Sequence, residues 1–193
     1  MSVYDPLDNK SDEALVALTL RDQQCFSCLV RRYERKLLSY IMRISSVGRQ
    51  EAQDILQDVF IKIYTNLNGF DQTLSFSSWA YRITHNQVIS HYRKHKASAH
   101  DVTLEAEGLL ERIIADNGAD HELDLQYQKQ HVAAILDRLD LKYREVLILK
   151  FLEEKNYREI SDIIKKPMGT VAALINRAKK KFREEAARQN VTS

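Results

Sequence analysis

The chain has 193 residues, 44% of them apolar and 29% charged, with a formal net charge of +2. That is a globular composition, with apolar surface for one ordinary domain or two small ones. No run approaches the ~18 apolar residues that a membrane span requires, and two prolines with five glycines argue against a turn-rich all-β fold.

The start, "MSVYDPLDNKSDE", is polar and acidic and does not read as a signal peptide, so a cytoplasmic location is expected. Ser11 is placed to cap a short helix opening with Asp12 and Glu13, acids that suit a helix N-terminus. A longer helix is expected from about Gln23 to Ser45, because Phe26, Leu29, Val30, Tyr33, Leu37, Ile41 and Ile44 recur at helical spacing. Cys25 and Cys28 form a lone C-x-x-C. Zinc would need about two further ligands, and no second such motif exists, so the pair is either inert or a thiol switch.

A second helix is expected from about Arg49 to Leu67, with Ala52, Ile55, Leu56, Val59, Phe60 and Ile63 on its inner stripe. Its other side carries Glu51, Asp54 and Asp58, with Gln57 beside them. Such a ridge is either a solvated face or a docking surface for a basic partner.

"NLNGFDQTLSFSS" is rich in turn and capping residues and reads as a loop. The helix after it, from about Ser78 to Lys96, lies in a stretch without carboxylates: from Gln72 to His100 there is no Asp or Glu. Aromatic residues Phe76, Trp79, Tyr81 and Tyr92 interleave there with Arg82, Arg93, Lys94 and Lys96. A basic track beside stacking surfaces suits single-stranded nucleic acid, and the preceding loop could pocket an extruded base with Asn86 facing it. Trp79 and Ile83 also suit inward positions, which makes the polar and basic positions the stronger DNA candidates.

From Asp101 to Asp124 eight acids meet one base, Arg112, and the periodicity fades, so this stretch reads as a linker with one helical turn at "EGLLERII". Helices resume near His121, with Val132, Ile135, Leu136 and Leu139 forming a stripe. Asp140 is placed to cap "LKYREVLILKFLEE", and Asn156 with Glu159 has capping-box spacing at the start of "YREISDIIKK". Pro167 and Gly169 then break the chain before a last helix from Thr170 to about Arg188. Two helices joined by a short turn form a helix-turn-helix pattern. The segment Lys165 to Arg188 carries eight bases against two acids, which raises the weight of DNA binding. No nucleophile elbow, phosphate loop or metal-ligand motif occurs, so an enzyme is not expected.

Taken in order, "QDILQDVFIKIYTNLNGF", "FSSWAYRITHNQVISHYRK", the acidic linker and "LDLKYREVLILKFLEEKNYREISDIIKKPMGTVAALINRAKKKF" resemble an extracytoplasmic-function sigma factor of the sigma-70 family. The resemblance covers about residues 22 to 96 and 125 to 184. It implies an all-α chain of two small helical domains: an N-terminal segment (1–21), a region 2 domain (22–96), the acidic linker (97–124), a region 4 domain (125–188) and a tail (189–193).

It also implies roles. Asp54 to Leu67, with Asp54, Gln57, Asp58 and Lys62, would dock on the β′ clamp helices of core RNA polymerase. Phe76, Trp79, Arg82, Asn86, Arg93 and Lys94 would serve the promoter −10 element, with Asn86 helping to hold a flipped base. The linker would thread towards the polymerase channels. Tyr157 to Asn176 would read the −35 element and dock on the β flap. Many relatives place a basic residue, a serine and another arginine after Gly-Thr-Val; here Ala172, Ala173 and Leu174 stand there. That leaves Thr170, Asn176, Arg177, Lys180 and Lys181 for −35 DNA. No cofactor is implied. The expected partners are core polymerase, promoter DNA and an anti-sigma factor, which could hold the chain at a membrane without insertion. The alternatives are a helix-turn-helix regulator that never docks on polymerase, and a helical adaptor that binds only protein.

Overall fold

The computed structural model describes residues 7, 9–45, 47–98 and 132–192, and all regular structure among them is helical. The acidic stretch and the "EGLLERII" turn lie outside the described residues.

Helix α1 (Asp12–Thr19) is capped by Ser11, whose hydroxyl accepts the Ala14 N–H at 3.2 Å. Its first residue fastens it to the next helix, because the Asp12 carboxylate takes Arg32 at 2.5 Å and the Tyr33 hydroxyl. The long helix expected from Gln23 is split. Asp22 caps a 3-10 turn at Gln23–Cys25, and α2 proper runs Phe26–Ser45.

Helix α3 spans Arg49–Thr65 and ends sooner than its apolar pattern suggests. The Lys62 carbonyl accepts both the Asn66 backbone N–H at 3.1 Å and the Asn66 side-chain amide at 2.8 Å, and Leu67–Gly69 continues as a 3-10 turn. Helix α4 (Phe76–Ser98) starts earlier than expected. The Ser75 carbonyl already accepts from Trp79 at 3.1 Å, and Glu13 of α1 accepts the Phe76 N–H at 3.3 Å. The stripes of α2 and α3 bury Leu29, Leu37, Ile41, Ile55, Val59 and Ile63 against one another, and α4 packs across both helices.

Among the described residues, the C-terminal body opens with helix α5, seen over 132–137. Ile135, Leu136 and Leu139 are buried as the stripe requires, but Val132 is 38% exposed and does not join them. Helix α6 (Leu141–Leu147) follows. Asp140 stands at its N-cap, but its side chain takes no backbone N–H; it lies 3.9 Å from Lys142 instead. The turn is held by Arg144, which donates to the Leu136 carbonyl at 2.9 Å and the Asp137 carbonyl at 2.5 Å.

Helix α6 runs on as a π segment, Ile148–Leu152, closed by Glu153 N–H to Ile148 O at 2.9 Å. Helix α7 (Tyr157–Ile164) has the expected capping box: Asn156 takes the Glu159 N–H at 3.0 Å, and Glu159 takes the Asn156 N–H at 2.9 Å. The break before the last helix differs from expectation. Lys165, not a glycine, turns left-handed at φ 52°, and Ser161 pins the next residue by donating to the Lys166 carbonyl at 2.6 Å. The Pro167 carbonyl accepts from Val171 at 3.0 Å, so α8 runs Met168–Thr192 with Gly169 inside its first turn.

The two bodies touch. Helix α4 packs on α7, α2 packs on α6 and on the π segment, and the buried apolar side chains of both bodies form one continuous cluster.

Candidate nucleic-acid interface

Asp54, Gln57, Asp58 and Lys62 are exposed along α3. Two of them are tied to α4 through one amide. Gln87 donates to Asp58 at 2.8 Å, and its carbonyl oxygen accepts from the Lys62 ammonium. Glu51 at the head of the ridge lies 3.4 Å from His91 of α4. The acidic helix is thereby fixed in register against the helix that carries the basic stretch.

Helix α4 divides its residues between faces. At 3.6 residues per turn, Arg82, Asn86 and Arg93 share one side, and Ser77, Tyr81 and His85 share another, turned well away from it. Asn86, Arg93 and Lys94 are exposed and Arg82 is half-buried. Phe76 and Trp79, expected among the DNA contacts, are buried at 1% and 8% exposure. Neither ring can stack on a base without leaving the core. Together with Phe70 they form an aromatic cluster, with ring centroids 5.1–5.7 Å apart, that underpins the loop between α3 and α4. At the loop's tip Asp71 accepts from the Thr73 hydroxyl at 2.7 Å and the Thr73 N–H at 2.9 Å, and these bonds hold its carboxyl below the ordinary range.

On α8, Val171, Ile175 and Ala178 face the core with no exposure, and Leu174 packs partly against it. Thr170, Ala173, Asn176, Arg177, Lys180 and Lys181 point outward. Lys181 pairs with Glu184 at 3.0 Å, an exposed contact that raises the lysine and lowers the glutamate. Phe151 and Tyr157 are also exposed, and each ring has a lysine over it: Lys179 at 5.2 Å and Lys150 at 5.3 Å. Cys28 is buried and Cys25 half-buried, and among the described residues no group of three metal-ligating side chains occurs.

A polar cluster at the junction of the two bodies was not anticipated. Glu145 of α6 takes the Tyr40 hydroxyl at 2.9 Å and faces the His85 ring. Glu153, just past the π segment, takes Arg43 at 2.9 Å and the Tyr81 hydroxyl. Lys155 donates to Ser77 at 2.7 Å and lies 4.7 Å from the centre of the Tyr81 ring. Burial first, and the carboxylates second, push both tyrosines well above their ordinary pKa, while burial lowers Lys155. The signal in the sequence was Ser77, Tyr81 and His85 recurring every four residues along one face of α4.

An all-helical pair of bodies with a helix-turn-helix whose outer face is basic defines a class of DNA-binding proteins. The narrower assignment comes from relatives. The Sigma-70 region 2 family pattern matches residues 29–98, and the Sigma-70 region 4 pattern matches residues 129–182. The ECF RNA polymerase sigma factor SigW of Bacillus subtilis is 34% identical over 173 residues, covering 85% of this chain and 90% of its own. The RNA polymerase sigma-H factor of Pseudomonas aeruginosa is 31% identical over 179 residues, covering 90% and 92%. Among solved structures, CnrH in complex with the cytosolic domain of CnrY superposes with a TM-score of 0.68 at 22% identity, over 95% of this chain and 100% of that one. The sigma factor RpoE in complex with the anti-sigma factor NepR, from Bartonella quintana, gives 0.64 at 20% identity, over 83% and 95%. The chain belongs to the extracytoplasmic-function sigma factors of the sigma-70 family, which direct RNA polymerase to specific promoters.

Proposed function

We propose that this sigma factor works through three surfaces of its own. The exposed acidic ridge of α3, centred on Asp54, Gln57 and Asp58 with Lys62, docks on the β′ clamp helices of core polymerase. The α4 face bearing Arg82, Asn86 and Arg93, with Lys94 about a quarter-turn beside it, serves the −10 element, Asn86 reading an extruded base and the cations holding phosphates. The outward side of α8 reads −35 duplex through Thr170 and Asn176, with Arg177, Lys180 and Lys181 on phosphates. Phe76 and Trp79 support the −10 surface from beneath.

The observation that carries these roles is the division of α4. Its carboxylate-free polar side is open to solvent, while its other sides are taken up by α3 and by the C-terminal body. The lysine-flanked rings of Phe151 and Tyr157 supply an amphipathic surface for the β flap. The acidic linker suits a basic polymerase channel. An anti-sigma partner fits as well, since two solved relatives of the same fold are bound to partner chains, one of them named an anti-sigma factor. That partner could hold the chain at a membrane; no helix among the described residues is long and apolar enough to cross one.

Each domain alone is a small DNA binder. Held together on polymerase, the two engage jointly, and effective concentration raises affinity by ~10²–10⁴. In vitro transcription with purified core polymerase tests this function: promoter-specific initiation should require the protein and fall steeply with salt. Operator binding without any requirement in transcription would favour a regulator that never docks on polymerase.

A further inference from the structure

We infer that helix α1 is a positioning element for the −10 surface, and that Glu13 is the residue through which it acts. The inference rests on the −10 reading proposed above. Helix α1 lies outside both sigma-70 patterns, the earlier of which starts at residue 29.

The first turn of α4 carries N–H groups that the helix cannot satisfy by itself. Trp79 opens the helical ladder by donating to the Ser75 carbonyl, so Phe76 and Ser78 need other acceptors. Ser78 has the Ser75 hydroxyl at 3.4 Å. Phe76 takes its acceptor from α1: its N–H donates to the Glu13 carboxylate at 3.3 Å, across 63 positions of chain. The Phe76 ring is held from the same helix. It meets the Tyr33 ring edge-on, with centroids 5.3 Å apart, and the Tyr33 hydroxyl donates to Asp12. Two neighbouring acids of α1 thus hold one residue, Glu13 through its N–H and Asp12 through the ring packed on it. Helix α1 is itself anchored, because Leu15 and Val16 have no exposure and the helix packs on both α2 and α4.

The loop before α4 is tethered at Phe76. From Phe70 to Phe76 the chain runs between two buried rings that touch edge-on, with centroids 5.6 Å apart. Between those anchors, Asp71 takes the Thr73 N–H and hydroxyl, and its carbonyl accepts from Leu74 at 3.0 Å. These bonds shape the loop from within, so its placement against Asn86 is set by its two ends. An extruded base needs a pocket of fixed shape, because every group that reads its edge must lie within hydrogen-bond reach. Removing the Glu13 acceptor strands the N–H of a residue that is 1% exposed and loosens the first turn of α4 with the loop attached.

Holoenzyme assembled from the full-length chain and purified core polymerase is offered a random pool of single-stranded DNA, and the bound sequences are counted. Core affinity is titrated alongside, and hydrogen exchange at the Phe76 amide is followed in the free chain. Glu13→Ala should lower the preference at the most selective base by about two- to tenfold, the contribution of one hydrogen bond. It should also speed exchange at Phe76 while core affinity stays unchanged. Glu13→Gln keeps an acceptor oxygen and should retain both the preference and the slow exchange. Wild-type base preference in Glu13→Ala overturns the inference. So does a loss in Glu13→Gln as large as in Glu13→Ala, or a loss of core affinity in step with base preference, which marks a general loss of fold. If wild-type holoenzyme shows no base preference at all, the −10 reading falls instead, and exchange at Phe76 still decides whether α1 holds the start of α4.

Discussion

Tyr40 and Glu145 are 105 positions apart in the chain, yet the phenol hydroxyl donates to the carboxylate at 2.9 Å across the junction of the two domains. Tyr40 has no solvent exposure, so it is fixed in the N-terminal core and its hydroxyl serves the other domain. Tyr40→Phe keeps the packing and leaves a buried carboxylate short of one donor. A loss of about 1–3 kcal/mol is expected in urea unfolding. Adding Glu145→Leu should cost less than the sum of the two single changes, because both remove the same contact.

The two junction tyrosines predict an alkaline limit. Their pKa values are raised in the folded chain above the ordinary value near 10. A raised value stabilises the fold fully below the unfolded pKa, and that contribution is lost as pH climbs beyond it. Burial lowers Lys155, which favours folding as pH rises, but that contribution is complete once the ordinary lysine range is passed. Above the ordinary lysine range the tyrosines therefore decide, and the domains should separate there in scattering measurements. Replacing both tyrosines with phenylalanine should flatten the dependence.

Asp54→Arg with Asp58→Arg should abolish binding to core polymerase while leaving the circular dichroism spectrum and melting temperature close to wild type. Both side chains are exposed and neither belongs to the core. Retained pull-down of core polymerase would refute the docking assignment. Gln87→Ala, which frees Asp58 and Lys62 from α4, should weaken binding less than the double reversal.

Arg177→Ala should weaken transcription that depends on the −35 element by about ten- to a hundredfold, the equivalent of one charge-assisted contact. Transcription from an extended −10 template lacking that element should hardly change. Ala172 and Ala173 offer only methyl groups, which suit a thymine methyl rather than a guanine edge. A base-by-base −35 substitution series should accordingly show no guanine preference at the positions these two residues face.

Lys165→Gly should stabilise the C-terminal domain by roughly 0.5–1 kcal/mol, seen as a higher melting temperature. The residue sits at φ 52°, where glycine avoids the cost of a Cβ. A lower melting temperature would mean that the lysine side chain contributes more than its backbone costs.

Local rules carried much of this molecule. The Ser11 cap, the Asn156–Glu159 box, the stripes of α2 and α3, and the helix-turn-helix were all legible, because each depends on residues a turn or two apart. The inward side of α8 was legible for the same reason: Val171 and Ile175, four apart, both lie in the core. The aromatic residues were harder. Phe76 and Trp79 stand among cations in the sequence, and only the loop folding Phe70 against them shows that they are buried. The turn before α8 drew attention to Pro167 and Gly169, whereas hydrogen bonding through Ser161 assigns the left-handed position to Lys165.

The order of motifs along the chain was enough to carry the resemblance to a sigma factor, and helix periodicity and capping, which are short-range physics, were enough to locate the helices. The packing of the two domains against each other was decided by tertiary structure. Glu145 and Glu153 read as ordinary surface acids until Tyr40, Arg43, Tyr81 and His85 are brought to them from 60 to 110 positions away. A buried carboxylate is tolerable only where its donors converge in space, and that convergence is a property of the packed domains.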